Sequence, residues 1–390
     1  MTLRIGFLVS HPIQYYTPIF RELAKRCDLT VYFAHRQTAE GQAAAGFGTA
    51  FEWDIDLLSG YRSQFLTNVA RRKSTDTFRG CDTPEIADEI ATGRFDAFVV
   101  PGWALLSYWQ AVWACRRASV PVLCRGDSHL KDRRNALLRL AKAAVFPSLL
   151  RRFDGFLYVG QWNREYLRHY GVPADRLFFS PHCVDNDAFR AGSEAERQRA
   201  GGEEAGRPGC RRLLFVGKLM ENKHPLDLVH AAAELRGKGV PVEAAFAGSG
   251  SLAEQLEHAA RAAGVPAHFH GFVNQSKMPA VYASAEVVVL PSQAESWGLT
   301  VNEAMACGVP AIVSDRVGCG PDLIVPGATG ATFPCGDVQA LASAIEAVLG
   351  FDVQACRQSL ADRMEVYSPA RSAEGIIQGA NSLRGRLLVE

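Results

Sequence analysis

Short apolar runs of strand character alternate with helical patterns along almost the whole chain, which restricts it to α/β folds built on parallel sheets. In the first half the runs predict strands near residues 4–9, 29–34, 97–101, 120–125, 155–159 and 176–180, with helical patterns between them. Residues 35–80 are polar and glycine-containing, and read as loop with weak strands. A second series begins near residue 211, with strands predicted at 212–216, 242–247, 268–271, 287–290 and 311–314. The strands are apolar throughout rather than alternating, the pattern of strands covered on both faces. Between the two series, residues 191–209 carry five glycines and mixed charge without apolar periodicity, and read as a linker or mobile loop.

A length of 390 residues favours two domains over one. The boundaries predicted are 1–187 for the first domain, 188–210 for the linker and 211–366 for the second domain. Residues 367–390 are expected to form a helix crossing back to the first. Two such halves place the largest cleft between them, at the carboxyl ends of their strands. The formal net charge is +1, so no global charge argues for nucleic acid. Ten cysteines are scattered with no CxxC pair, which suits a reducing cytosol and gives no zinc or redox motif. The apolar run at the N-terminus is short for a signal peptide, and no run approaches membrane-spanning length. The expected location is cytoplasmic.

The most informative stretch is PSQAESWGLTVNEAMACGVP, residues 291–310. An apolar strand leads into a loop bearing Glu295 and Gly298, followed by a short helix bearing Glu303. Backbone N–H groups around residues 296–299, at a helix N-terminus, suit an anion such as a diphosphate. Glu303 repels phosphate but accepts hydrogen bonds from neutral hydroxyls such as those of a ribose. Lys218 follows the strand of residues 212–216, and Lys223 comes five residues later, just before a helix. Two ammonium groups at a sheet's carboxyl edge suit a diphosphate and would stabilise charge on a departing nucleoside diphosphate. Taken alone, they could equally be solvated surface lysines.

In order and spacing, residues 217–223, AGSG (247–250), HGFV (270–273), the stretch 291–310 and SDRVGCGPDLIVPGATG (314–330) resemble the C-terminal half of GT-B glycosyltransferases of family 4. The resemblance is strong over residues 205–365 and weak in the N-terminal half. It implies a GT-B fold, two Rossmann-like domains with parallel sheets facing across a cleft. It implies a retaining, metal-independent glycosyltransferase that moves a sugar from a nucleotide diphosphate sugar to a hydroxyl of a glycan or lipid-linked acceptor. Position by position, it implies that Glu303 holds the ribose, Glu295 contacts donor-sugar hydroxyls, and Lys218 and Lys223 grip the diphosphate. Trp297, Gly298 and Leu299 would support sugar and phosphate, and Phe272 and Val273 would lie beside the base. Gly217 and Gly248 belong to the same donor loops. Trp297 is expected to pack the loop rather than stack on the sugar. Arginine is the more usual residue where Lys218 stands.

For the first half, SHPIQYY (10–16) offers His11, Gln14 and Tyr15 as acceptor-binding groups, and RGDSH (125–129) offers Asp127 and His129. Either of the latter could contact the donor sugar or receive the acceptor's proton, and Asp127 could also contact the acceptor. The family more often has histidine where Asp127 stands. PHCVDNDAF (181–189) reads as a hinge. GSGSLA (248–253) matches a dinucleotide fingerprint but lacks the acidic residue at the end of the next strand. The pairs Asp54/Asp56 and Asp185/Asp187 match a metal-binding DxD out of its architecture, so no metal is expected.

Arg125–Arg152 carries eight basic residues, Lys131, Arg133, Arg134, Arg139, Lys142 and Arg151 among them, interleaved with leucines. This suits peripheral contact with the anionic inner face of a membrane as well as an ordinary sheet-covering helix. SHPIQYY looks like a subgroup associated with bacterial polysaccharide assembly. The rival readings are a catalytically silent nucleotide-sugar-binding subunit and a sugar-nucleotide epimerase of the same architecture.

Overall fold

The computed structural model describes residues 2–42, 50–131, 136–199 and 209–387. Seven strands form the first sheet: β1 Arg4–Val9, β2 Asp28–Phe33, β3 Arg62–Phe65, β4 Ala97–Val100, β5 Val122–Gly126, β6 Gly155–Tyr158 and β7 Leu177–Phe179. Their order is β3-β2-β1-β4-β5-β6-β7, and every pairing is parallel. Six strands form the second sheet: β8 Arg211–Val216, β9 Val242–Ala247, β10 Ala267–Gly271, β11 Val287–Leu290, β12 Ala311–Ser314 and β13 Gly330–Phe333. Their order is β10-β9-β8-β11-β12-β13, again parallel throughout. The uniformly apolar runs become the central strands. β3, within the region read as loop with weak strands, and β13, which the sequence pattern missed, each pair with a single neighbour at a sheet edge. An edge strand is partly solvated, so RSQF and GATF lack the apolar signature.

The chain divides into two compact units. One contains residues 1–37, 56–182 and 369–390; the other contains residues 38–55 and 183–368. Two sequence expectations are corrected here. First, residues 38–55 associate with the second unit, not the first. The ring of Phe51 lies 4.2 Å from that of Phe272, and the Asn274 side chain donates to the Glu52 carbonyl at 2.7 Å. Second, residues 188–199 are no linker but part of a helix, Asn186–Arg199. Asp185 caps it by accepting from the Ala188 N–H, and Phe189 and Ser193 are buried along one side. Gly192, which read as linker composition, is a contact glycine: a Cβ there would lie 2.8 Å from Pro279 Cβ. Residues 200–208, with most of the remaining glycines, lie outside the described residues.

The helix Pro369–Leu387 belongs to the first unit and packs along β6 and β7. Ser180 Oγ lies 2.8 Å from Ser372 Oγ, and a Cβ on Gly375 would come within 1.8 Å of the Phe179 carbonyl oxygen. Glycine lets this helix approach the strand end more closely than any side chain permits. Gly375→Ala in an ordinary exposed helix would stabilise by about 1 kcal/mol. Here overpacking should destabilise by roughly 1–3 kcal/mol. Thermal unfolding of the variant checks this, and an unchanged or raised midpoint contradicts the packing account.

Candidate functional site

The order of the second sheet places the site. From β8 the chain turns to β9 on one side, then returns to β11 on the other, so the strand order reverses between β8 and β11. At such a switch point the loops leaving adjacent strands diverge and leave a crevice at the carboxyl edge. The loop after β8 carries Gly217, Lys218 and Lys223; the loop after β11 carries Glu295, Trp297 and Gly298. They are stitched together. The Gln293 N–H donates to the Asn222 carbonyl at 2.9 Å, and Lys223 Nζ donates to Glu295 Oε2. The loop after β9 joins the same weave. Leu219 N–H donates to the Ser249 carbonyl at 2.9 Å, and a Cβ on Gly248 would lie 1.9 Å from the Gly217 carbonyl oxygen. The glycines of GSGSLA therefore admit a neighbouring backbone, which accounts for the fingerprint-like spacing.

Gly298, at φ +99°, precedes the helix Leu299–Ala306. Glu303 lies one turn in and is only 4% exposed. A buried carboxylate needs partners, and it has them: the Tyr282 hydroxyl donates to Oε2 at 2.7 Å and Gln275 Nε2 to Oε1 at 3.3 Å. These two donors hold the carboxylate in a fixed orientation. Trp297 is buried at 4% exposure, with Nε1 donating to Asn302 Oδ1 at 2.8 Å and its ring 6.0 Å from Tyr367. It packs the loop. Leu299 opens the helix half-buried. Behind the loop, Gly318 N–H donates to the Glu295 carbonyl at 3.0 Å, and a Cβ on Gly318 would lie 1.9 Å from the Ser296 carbonyl oxygen. Phe272 and Val273 sit on the loop after β10, half-buried. The 50–54 segment is strapped to that loop, with Asp54 accepting from the Ser276 N–H at 3.0 Å and also from its hydroxyl at 2.5 Å.

The candidates in the first unit follow its own strand ends. His11 follows β1, with Nδ1 3.0 Å from Ser10 Oγ. Burial lowers its pKa to about 4; His35 adds to the effect and Asp76 opposes it. Gln14 and Tyr15 are half-buried on the same loop. Asp127, after β5, faces His182: Nε2 lies 3.8 Å from Oδ2, an electrostatic contact longer than a hydrogen bond. Burial acts to raise the Asp127 pKa, but His182 and Arg125 outweigh it and the net shift is downward. His182 is itself lowered, by burial and by Arg125, against the pull of Asp127. The first unit's stretch 56–182 ends at His182 and the second unit continues from Cys183, as the hinge reading of 181–189 expects, and His182 in addition belongs to this charged cluster. His129, the other candidate after β5, has contacts of its own. That ring is 7% exposed, lies 5.4 Å from Trp162, and accepts the Lys131 N–H on Nδ1 at 3.2 Å, which makes it a turn-forming group.

Sequence reasoning missed Arg125, 1% exposed at the end of β5. It donates to the Pro181 carbonyl at 3.0 Å and the Tyr16 hydroxyl at 3.2 Å. A lone arginine closing the apolar run VPVLCR was the available signal. Tyr282 and Gln275 were missed because their role exists only through contact with Glu303.

The second half of the chain, over residues 203–360, matches the model of the glycosyl transferases group 1 family. Over that stretch the chain is similar to a group 1 glycosyltransferase domain. A D-inositol 3-phosphate glycosyltransferase of Pseudarthrobacter chlorophenolicus is 34% identical over 172 residues, 43% of this chain and 40% of that protein. A GDP-mannose-dependent alpha-(1-6)-phosphatidylinositol monomannoside mannosyltransferase of Mycolicibacterium smegmatis is 29% identical over 247 residues, 61% of this chain and 62% of that one. This chain thus spans less than two thirds of either relative. Among solved structures, HepE of Anabaena in complex with UDP aligns over 98% of this chain and 100% of its own, with a TM-score of 0.70 at 16% identity. A glycosyltransferase of Rickettsia africae aligns over 98% of each chain, with a TM-score of 0.71 at 13% identity. The fold is GT-B, two Rossmann-like parallel-sheet domains.

Each DxD carboxylate has a partner: Asp54 accepts from Ser276, Asp56 from the Leu58 and Ser59 N–H groups, Asp185 caps a helix and Asp187 pairs with Arg190. Among the described residues, no group of three potential ligands could hold a metal ion. No described helix is long and apolar enough to cross a membrane. Of the basic stretch, Arg133 and Arg134 lie outside the described residues, as does the Arg139 side chain. Lys142 sits over the rings of Phe146, Tyr166 and Tyr170, with Phe146 and Leu150 buried in the core.

The neutral His11 yields a pH dependence. Its folded pKa, about 4, lies below the ordinary 6.5, so the unfolded chain binds more protons between those values. Stability is therefore lost as pH falls from 6.5 towards 4. His11→Asn should flatten the dependence of unfolding midpoint on pH within that window and leave it unchanged above pH 7. Identical slopes in both proteins would contradict a buried neutral ring.

Proposed function

We propose that this protein is a retaining glycosyltransferase that uses a nucleotide diphosphate sugar and needs no metal ion for transfer. The observation that carries the reading is the meeting of Lys223 with Glu295, beside the loop-to-helix junction that bears Glu303. The ammonium groups of Lys218 and Lys223 take the diphosphate, supplying the positive charge that the departing nucleoside diphosphate requires. Lys223 then exchanges Glu295 for phosphate oxygens. The freed Glu295 turns to hydroxyls of the donor sugar, so one ion pair divides into two contacts with one ligand. Glu303, oriented by Tyr282 and Gln275, accepts from the ribose hydroxyls. N–H groups at Gly298 and Leu299 add the field of the helix N-terminus. Gly217 and Gly248 keep the loops low enough for the phosphates, and Phe272 and Val273 flank the base.

In the reaction, the bond from the anomeric carbon to the diphosphate oxygen breaks and a bond to the acceptor oxygen forms on the same face. The acceptor's proton passes to the departing diphosphate. The names of relatives, which specify inositol phosphate and phosphatidylinositol monomannoside, support a glycan or lipid-linked acceptor. To its binding we assign His11, Gln14, Tyr15 and Asp127 on the strand-end loops of the first unit. A lipid-linked acceptor would set the reaction at the cytoplasmic face of a membrane, where polysaccharide precursors are built.

The test is donor binding and transfer with UDP- and GDP-linked sugars, read by calorimetry and by product analysis. Removing a hydrogen bond to a charged group costs about 1.5–3 kcal/mol. Glu303→Gln should therefore lower donor affinity roughly 10- to 100-fold, and Tyr282→Phe should lower it less. Lys223→Met should depress turnover more than binding, because the charge it neutralises grows in the transition state. Donor binding and turnover unchanged in Glu303→Gln would overturn the ribose role.

A further inference from the structure

A second cavity lies at the amino ends of the strands of the second sheet. Its volume is about 540 Å³, within the range of small-molecule sites. Arg211 opens β8 on one wall, Glu286 precedes β11, Arg197 comes from the helix Asn186–Arg199, and Arg357 from the helix Val353–Val366. Lys218, Lys223, Glu295 and Gly298 follow the carboxyl ends of β8 and β11, at the other edge of the sheet, whereas Gly308 and Pro310 line this cavity.

Three arginines thus line a cavity with one carboxylate in its lining. That carboxylate is already engaged: Glu286 Oε2 accepts the Arg212 N–H at 2.5 Å. Two of the arginines hold neutral acceptors. Arg197 Nη2 donates to the Cys307 carbonyl at 2.6 Å and Nη1 reaches Ser193 Oγ at 3.5 Å, while Arg211 donates to the Leu349 carbonyl. Among the described residues none of the three forms an ion pair. Arg197 and Arg357 also converge. From the Cβ position of Gly308, Arg197 Nη1 is 3.9 Å away and Arg357 Cγ 3.7 Å. Burial and the charge of Arg357 lower the pKa of Arg197, outweighing Cys307 and Glu194, which act to raise it. Two like charges brought together beside a concavity cost free energy unless an anion lies between them. The far wall is apolar, with Phe351, Val353 and Val348, and Val353 is 59% exposed at its rim.

We propose that this cavity binds a small phosphomonoester. The phosphate sits between the guanidinium groups of Arg197 and Arg357, whose planar forks match phosphate oxygens, with Arg211 adding charge. The organic body lies against Phe351 and Val353.

The probe is phenyl phosphate, titrated calorimetrically into the full-length protein at constant ionic strength, with orthophosphate and phenol as comparison ligands. Phenyl phosphate should bind at least fivefold more tightly than orthophosphate, and phenol should not bind measurably. Arg357→Gln, at an exposed position that threatens folding little, should weaken phenyl phosphate at least tenfold. Arg197→Lys, which keeps charge but loses the fork, should weaken it several-fold. Lys223→Met should leave phenyl phosphate binding unchanged. That variant separates this cavity from the donor loops, so failure here and failure of the donor assignment are distinguishable. Affinity within twofold of wild type in Arg357→Gln overturns the proposal, as does loss of phenyl phosphate binding in Lys223→Met.

Discussion

The pairing of Lys223 with Glu295 closes a gap of 72 residues, and the carboxyl edge of the second sheet depends on it. Each loop alone is short and polar and would fray. The backbone bond from Gln293 to Asn222 sets their distance, and the ion pair fixes which side chains meet. Both are possible only because β8 and β11 are neighbours, a consequence of where the strand order reverses. An exposed ion pair contributes little to stability. This one is partly shielded, with 19% and 23% side-chain exposure, yet its importance lies in placement rather than in energy. It holds a cation and an anion side by side where a ligand bearing phosphate and hydroxyl groups needs both.

The central strands of both sheets were legible in the sequence because burial on two faces leaves no room for polar residues. β9, β11 and β12 fall where the apolar runs fall. β8 and β9 nevertheless contain an exception, the buried pair of Arg212 and Glu243 at 2.8 Å, directly opposite each other in the ladder. Edge strands lose the signature because one side is wet. The helix Asn186–Arg199 was misread for a different reason: glycine has two meanings. Gly192 marks a close approach to Pro279, whereas composition alone equates glycine with flexibility.

The candidate site divides along the same line. Lys218, Lys223, Glu295 and Glu303 were readable because their spacing is local to two loops. Tyr282, Gln275 and Arg125 were not, since each matters through a partner 21 to 56 residues away. His129 illustrates the converse. A histidine two residues after an aspartate at a strand end invites a chemical role, but its ring contact with Trp162 and the backbone bond to its Nδ1 could not be read from the spacing.

The helix Pro369–Leu387 has a consequence for how the molecule is made. It covers β6 and β7 of the first unit, yet the ribosome must complete all of Cys183–Ser368 before it emerges. Domains commonly fold as they appear, but here the earlier sheet waits with Leu123 and Phe178 uncovered where Gly379 will dock. The later unit, contiguous apart from the 38–55 strap, can finish first. Nascent chains stalled short of residue 369 would therefore expose a greasy strand face, the kind of surface that chaperones hold.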